Sequence, residues 1–143
     1  MRSWHDFNII GYTVDGKFRS LTFDIEGPAD SYPDVRRAEI RFTDVECYYL
    51  EHDLGVSIVL AFEEVALEEH LAEWAERFET ESKWGWPRFW RAKPYPPRHV
   101  REELEDSLAV LRSKEVRCFC LSSSYGLNGW ILAAGVEDVI IEG

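Results

Sequence analysis

The apolar positions of this chain change period near Glu63, and that change separates a strand-rich first half from a mixed second half. Leu21, Phe23 and Ile25 alternate with Ser20, Thr22 and Asp24. Strict alternation puts one face on a core and the other in water, which predicts an antiparallel strand. The same period returns where Ala38, Ile40 and Phe42 oppose Glu39, Arg41 and Thr43. Strands are expected over His5–Val14, Lys17–Glu26, Arg37–Thr43, Val45–His52 and the β-branched run Val56–Phe62.

The connections support that division. Asp15-Gly16 suits a tight type I′ hairpin turn. Gly27–Val35 carries Pro28 and Pro33, which supply no ladder donor, and reads as a loop. Asp53-Leu54-Gly55 reads as a turn. Sequential antiparallel strands with short connections pair with their neighbours, so a five-stranded N-terminal meander is expected.

Past Glu63 the spacing becomes helical. Leu67, Leu71, Trp74 and Phe78 form one stripe, while Glu68, Glu69, Glu73, Glu76 and Glu79 cover other sides. Val100, Leu104, Leu108 and Leu111 mark a second helix ending near Lys114, with Pro97 near its first turn. Strands Val116–Leu121 and Trp130–Ala134 flank the polar stretch Ser122–Gly129, and a short closing strand runs through Val139, Ile140 and Ile141. The whole predicts one α+β domain over residues 1–143. Its expected form is a curled antiparallel sheet, the meander plus C-terminal strands, with two helices packed on one side. A closed barrel is the other arrangement short strands allow, because closure removes their edges.

Composition narrows the function classes. The net charge of -11 repels phosphate backbones and anionic lipid surfaces and favours a basic partner; solubility alone is the other reading. Cys47, Cys118 and Cys120 are an odd set, and no basic segment followed by an apolar core opens the chain. A reducing cytoplasm is therefore expected, and a disulfide framework is not. No apolar run reaches the roughly 18 residues of a membrane span.

Catalytic signatures are scarce. His5, His52, His70 and His99 lie in separate elements without a zinc-type spacing. Cys118 and Cys120 share a strand face, but no second cysteine pair accompanies them, so core packing is expected of both. Ser122-Ser123-Ser124 lacks a nucleophile-elbow context and reads as loop. No catalytic residues, metal site or cofactor are expected.

One stretch breaks the pattern. Between Lys83 and Arg101 the chain gathers three of its six tryptophans, four of its six prolines and six Lys or Arg, with no Asp or Glu. Immediately before it, Glu63–Glu81 holds eight carboxylates and one arginine, Arg77. The connector has two readings: aromatics packing the helix pair onto the sheet, or anchors for a protein partner, since Trp, Tyr and Arg are favoured interface residues. The candidate partner-binding set is Trp84, Trp86, Arg88, Trp90, Arg91 and Tyr95, with Glu69, Glu73 and Glu76 on the neighbouring helix. Stacking of nucleic-acid bases on these rings is a weaker reading, opposed by the overall charge.

Two segments carry a resemblance: His5-Asp6-Phe7 with the Val14-Asp15-Gly16 hairpin, and Ser123-Ser124-Tyr125-Gly126-Leu127-Asn128-Gly129-Trp130. They resemble small bacterial proteins, some grouped with immunity proteins of polymorphic toxin systems. The resemblance implies a compact acidic protein that neutralises a toxin by binding it. The expected function is thus a noncatalytic protein-binding module of immunity type with a basic toxin as partner. The alternative is a small-ligand-binding or enzymatic α+β domain with a pocket beside the aromatic connector.

Overall fold

The computed structural model describes residues 2, 4–27, 30, 32–55, 57–90 and 100–143, with the side chains of Leu60 and Val100 left out. Six strands and two helices follow in the order β1 (Asn8–Asp15), β2 (Ser20–Glu26), β3 (Arg37–Glu51), β4 (Ile58–Val65), α1 (Leu67–Glu81), α2 (Val100–Ser113), β5 (Arg117–Tyr125) and β6 (Asn128–Glu142). The strands form a closed antiparallel barrel ordered β1-β2-β3-β6-β5-β4. The fold is α+β with two helices and an antiparallel sheet, as expected, and the sheet goes further than the curled form anticipated, closing into the barrel that was the other arrangement allowed.

Closure overturns the five-stranded meander. β1, β2 and β3 are sequential neighbours, whereas β3 pairs next with β6, and β4 pairs with β5 and β1. The ring shuts through a narrow seam, where Ile9 N donates to Ser57 O at 2.8 Å and Asp6 N and Val59 N donate to Val59 O and Phe7 O at 2.9 Å. β1 starts at Asn8 rather than His5, because Trp4 and Asp6 take positive φ values of 55° and 69° that end extended backbone.

Two pairs of expected strands are single long ones. Arg37–Thr43 and Val45–His52 join into the 15-residue β3, which absorbs Asp44, at φ 49°, and a register shift between Val45 and Cys47. A bulge of this kind bends a strand without ending it. Its partner β6 likewise runs unbroken from Asn128 to Glu142. Gly129 sits where a Cβ would run into the Tyr49 carbonyl oxygen of β3, so only glycine lets these backbones approach.

The β1–β2 connection is also longer than the expected two-residue turn. The turn spans residues 16–19, with Asp15 Oδ1 accepting from Lys17 N at 3.0 Å and Phe18 N at 3.1 Å. Arg19, at φ 55°, then reaches the β3 bulge: its Nε and Nη2 donate to Val45 O at 3.0 and 2.8 Å, and Val45 N donates back to Arg19 O at 2.9 Å.

Alternation along the strands builds two cores. Inside the barrel, Phe23, Phe42, Phe62 and Phe119 meet ring to ring at 5.3 to 6.4 Å, surrounded by Leu21, Ile25, Ile40 and Ile131. Outside it, Cys47 of β3, Cys118 of β5, and Trp130 and Leu132 of β6 face the helices. They pack against Leu71, Ala75 and Phe78 of α1 and Leu108 and Leu111 of α2. Both helices thus cover one wall of the barrel, and α1 carries the expected stripe inward. Among the described residues no helix is long and apolar enough to cross a membrane.

Candidate functional site

The connector after α1 sends its three tryptophans to three different places. Ser82–Trp84 form one 3-10 turn, stopped by Gly85 in the left-handed region at φ 84°, whose N–H donates to Ser82 O at 2.9 Å. That reversal leaves Trp84 outside, 79% exposed, with Lys83 Nζ 5.4 Å from its ring centre. Trp86 is half-buried, edge-on to Phe78 at 5.6 Å. Trp90 is buried against Phe78 at 5.7 Å, and its Nε1 donates to Glu79 Oε2 at 2.9 Å. Trp90 therefore belongs to the core and does not share the surface expected of it. Arg91 and Tyr95 lie outside the described residues, as does Pro97.

Trp86 separates two open clefts. One, of about 330 Å³, is lined by Val14, Arg19, Cys47, Tyr48 and Arg88 among others. The second, of about 420 Å³, is lined by Tyr48, Tyr49, Leu50, Arg77, Glu81 and Trp84 as well as Trp86. Tyr48 and Trp86 line both, so the two adjoin as halves of an aromatic groove between β3 and the end of α1, with Trp86 as the divide. Arg77 organises its far wall. Its guanidinium carbon lies 4.5 Å from the Tyr49 ring centre, 5.1 Å from Trp74 and 5.8 Å from Trp86, while Nε holds Glu81 Oε2 at 3.3 Å.

At the groove's other end Glu46, on the β3 bulge, is 7% exposed and meets three cations. Lys114 Nζ is 2.8 Å away, Arg19 Nη2 3.2 Å and Arg88 Nη2 3.8 Å. A nearly buried carboxylate is tolerable there because the cations replace lost water. Arg88 is thus tied to the scaffold at one edge while 64% of its side chain stays exposed.

Glu69, Glu73 and Glu76 are all exposed on α1, at spacings of four and three that set them on one stripe. Glu73 is one turn before Arg77, so this acidic stripe borders the groove without lining it. Of the expected set, the fold brings Trp84, Trp86 and Arg88 together and places the three glutamates alongside. Sequence reasoning missed Tyr48, Tyr49, Arg77 and Glu46. Tyr48 and Tyr49 offered a signal, because adjacent tyrosines on a strand must present one ring to each face; Glu46 offered none beyond its polar place in an alternating run.

No protein-family model, curated protein or solved structure matches this chain.

A second grouping lies on the helix-covered wall. His70 of α1 and Cys118 and Cys120 of β5 present ligand-type atoms all within 4.8 Å of one another, the metal-capable set found among the described residues. Burial pulls the His70 pKa down to about 4, so its imidazole is neutral near pH 7. The Cys118 thiol, hydrogen-bonded to Cys120 and buried, is pushed up, and that same hydrogen bond holds the Cys120 thiol below its ordinary value.

Proposed function

We propose that this protein is a noncatalytic binding module of immunity type that captures a basic protein partner through the groove beside Trp84. The observation that carries the reading is Trp84 itself: a large ring, 79% exposed, at the end of a 3-10 turn and lining an aromatic groove. Exposing a tryptophan forgoes a large burial free energy, and such rings anchor interfaces when a partner covers them. The stripe of Glu69, Glu73 and Glu76 gives basic flanking residues of a partner an opposite charge to meet. The net charge of -11 speeds their approach at low salt. Tyr49 and Trp86 form the apolar seat, with Tyr48 lining it along β3, and Arg77 and Arg88 are its hydrogen-bonding rim.

The test is affinity capture of the partner from the native host, followed by titration of the purified pair. Trp84→Ala is expected to weaken binding about thirtyfold, equivalent to about 2 kcal/mol, without changing the circular dichroism spectrum. Reversing Glu69, Glu73 and Glu76 to Lys is expected to slow association and flatten its salt dependence. Unchanged affinity of Trp84→Ala would move the interface elsewhere, and a host extract yielding no protein partner would remove the reading.

One observation favours a second reading. Clefts of about 330 and 420 Å³ fall in the size range of small-molecule sites. A small ligand seated against Trp86, with Arg19 and Arg88 beside it, is the alternative; quenching of tryptophan fluorescence by a metabolite and its loss in Trp86→Leu would establish it over the protein partner.

A further inference from the structure

We propose that His70, Cys118 and Cys120 form a binding site for one thiophilic divalent metal ion of the zinc type, with a fourth position open toward solvent. The site is separate from the groove and rests on different residues. Cys118 and Cys120 are two apart on β5, so both thiols point to the helix-covered face of the wall. α1 lays His70, in its first turn, over that pair. Tetrahedral zinc, with bonds of about 2.3 Å to sulfur and about 2.0–2.1 Å to nitrogen, needs its ligand atoms about 3.5–3.8 Å apart. The observed limit of 4.8 Å leaves roughly an ångström to close, within reach of small side-chain rotations.

An independent observation points to a ligand. His70 is 95% buried, at 5% exposure, and its Nε2 has no hydrogen-bond partner. A buried ring nitrogen without a partner is costly, and ligation of a metal ion is one of the few arrangements that offset the cost. Two thiolates and an imidazole are the donor set that selects zinc-type ions over magnesium or calcium, which prefer oxygen.

The fourth position is set by what surrounds Cys120, which is half-buried where Cys118 is fully enclosed. Glu63 lies opposite Cys120 in the β4–β5 ladder, Glu73 follows His70 by three residues on α1, and both carboxylates act electrostatically on the Cys120 thiol. The opening is therefore acidic, which draws a cation in and leaves room for a water ligand. Three protein ligands plus water is the coordination of zinc sites that keep an exchangeable position. Uptake exchanges protons for metal: each cysteine S–H breaks as its S–metal bond forms, and two protons pass to solvent.

Sequence spacing hid this site because its third ligand is supplied by another element, and cysteine pairs without a second pair read as core. Cys47 provides the internal control, being buried in the same helix-facing cluster but outside the ligand set.

The experiment uses the full chain, reduced and stripped of metal with a chelator, titrated anaerobically with Co²⁺. Saturation at one equivalent is expected, with thiolate-to-cobalt charge-transfer absorption, d–d bands of tetrahedral intensity, and displacement of both by Zn²⁺. Cys118 is fully enclosed and its replacement risks the fold, so Cys120→Ala and His70→Gln are the informative variants. Each is expected to weaken Zn²⁺ binding about a hundredfold or more, measured against a chromophoric chelator. Cys120→Ala is also expected to halve the charge-transfer band, whereas Cys47→Ala leaves spectrum and affinity unchanged. Weak octahedral bands without charge transfer, which carboxylates alone would give, overturn the proposal. So does an unaltered cobalt spectrum in folded Cys120→Ala or His70→Gln.

Discussion

Phe78→Ala is expected to cost about 3–5 kcal/mol of folding stability, the range for removing a large ring from a close-packed core. The ring is fully buried, and five others converge on it: Trp86 at 5.6 Å, Phe89 at 5.5 Å, Trp90 at 5.7 Å, Trp130 at 5.9 Å and Trp74 at 6.1 Å. No single neighbour can collapse into the space, because each is itself held by others, so the cavity term adds to the lost transfer free energy. Against a total stability of about 5–15 kcal/mol for a domain, the loss is a large share. Urea unfolding followed by circular dichroism measures it, with Phe18→Ala, at a residue 71% exposed, expected to stay within about 0.5 kcal/mol of the parent. A Phe78→Ala loss below about 1 kcal/mol would mean that the aromatic cluster is not the fastening of helix to barrel. The same variant should disturb the groove, since Trp86 leans on Phe78.

The second large effect is a loss of stability in mild acid, read on metal-free protein. His70 has a folded pKa of about 4, lowered by burial, against about 6.5 in an unfolded chain. Between those values the unfolded state takes up a proton that the folded state refuses, so stability falls as pH falls through this window and the loss is complete below about pH 4. At about 1.36 kcal/mol per pKa unit the full contribution is at most about 3.5 kcal/mol. The groups facing His70 are the Cys118 and Cys120 thiols of β5, with Glu73 on its own helix. Every other titratable group is common to the parent and to a His70 variant. The difference between parent and His70→Gln isolates the histidine: the unfolding free energy lost between pH 7.5 and 4.5, from urea titrations, should be smaller in the variant by most of that contribution. Equal acid sensitivity of the two proteins would show that His70 is not kept neutral by burial.

Local elements were legible because local period writes them. Leu21, Phe23 and Ile25 announce β2, and Leu67, Leu71, Trp74 and Phe78 announce α1 and its inward face. Ring closure was not, since it rests on the pairing of Asn8 with Ile58 and of β3 with β6, partners that no window of sequence brings together. Asp44 read as a break between strands because a bulge and a turn use the same residue types; only the continuing partner β6 distinguishes them. Trp84, Trp86 and Trp90 look alike in sequence and end up exposed, half-buried and buried. Their fates are decided by the Gly85 reversal, which leaves Trp84 outside, and by Phe78, against which Trp86 and Trp90 pack. His70 lies on the flank of the α1 stripe, where sequence shows a polar residue near a core and says nothing of the two cysteines across from it.

Closure of the barrel leaves each of the six strands with a hydrogen-bonded neighbour on both sides. Many binding proteins are recognised by a peptide that adds itself to a free sheet edge, which lets backbone hydrogen bonds supply affinity with little regard to side chains. In this ring such a berth is confined to stretches paired on one side only, Gly11–Asp15 of β1 and Gly135–Glu142 of β6 among them. On the binding reading proposed above, a partner seated in the groove is recognised by rings, cations and carboxylates, so selectivity rests on a few exchangeable side chains while the strands behind them stay fixed. Substitutions at Trp84, Tyr49 or Glu73 could then retune which partner is held without rebuilding the scaffold.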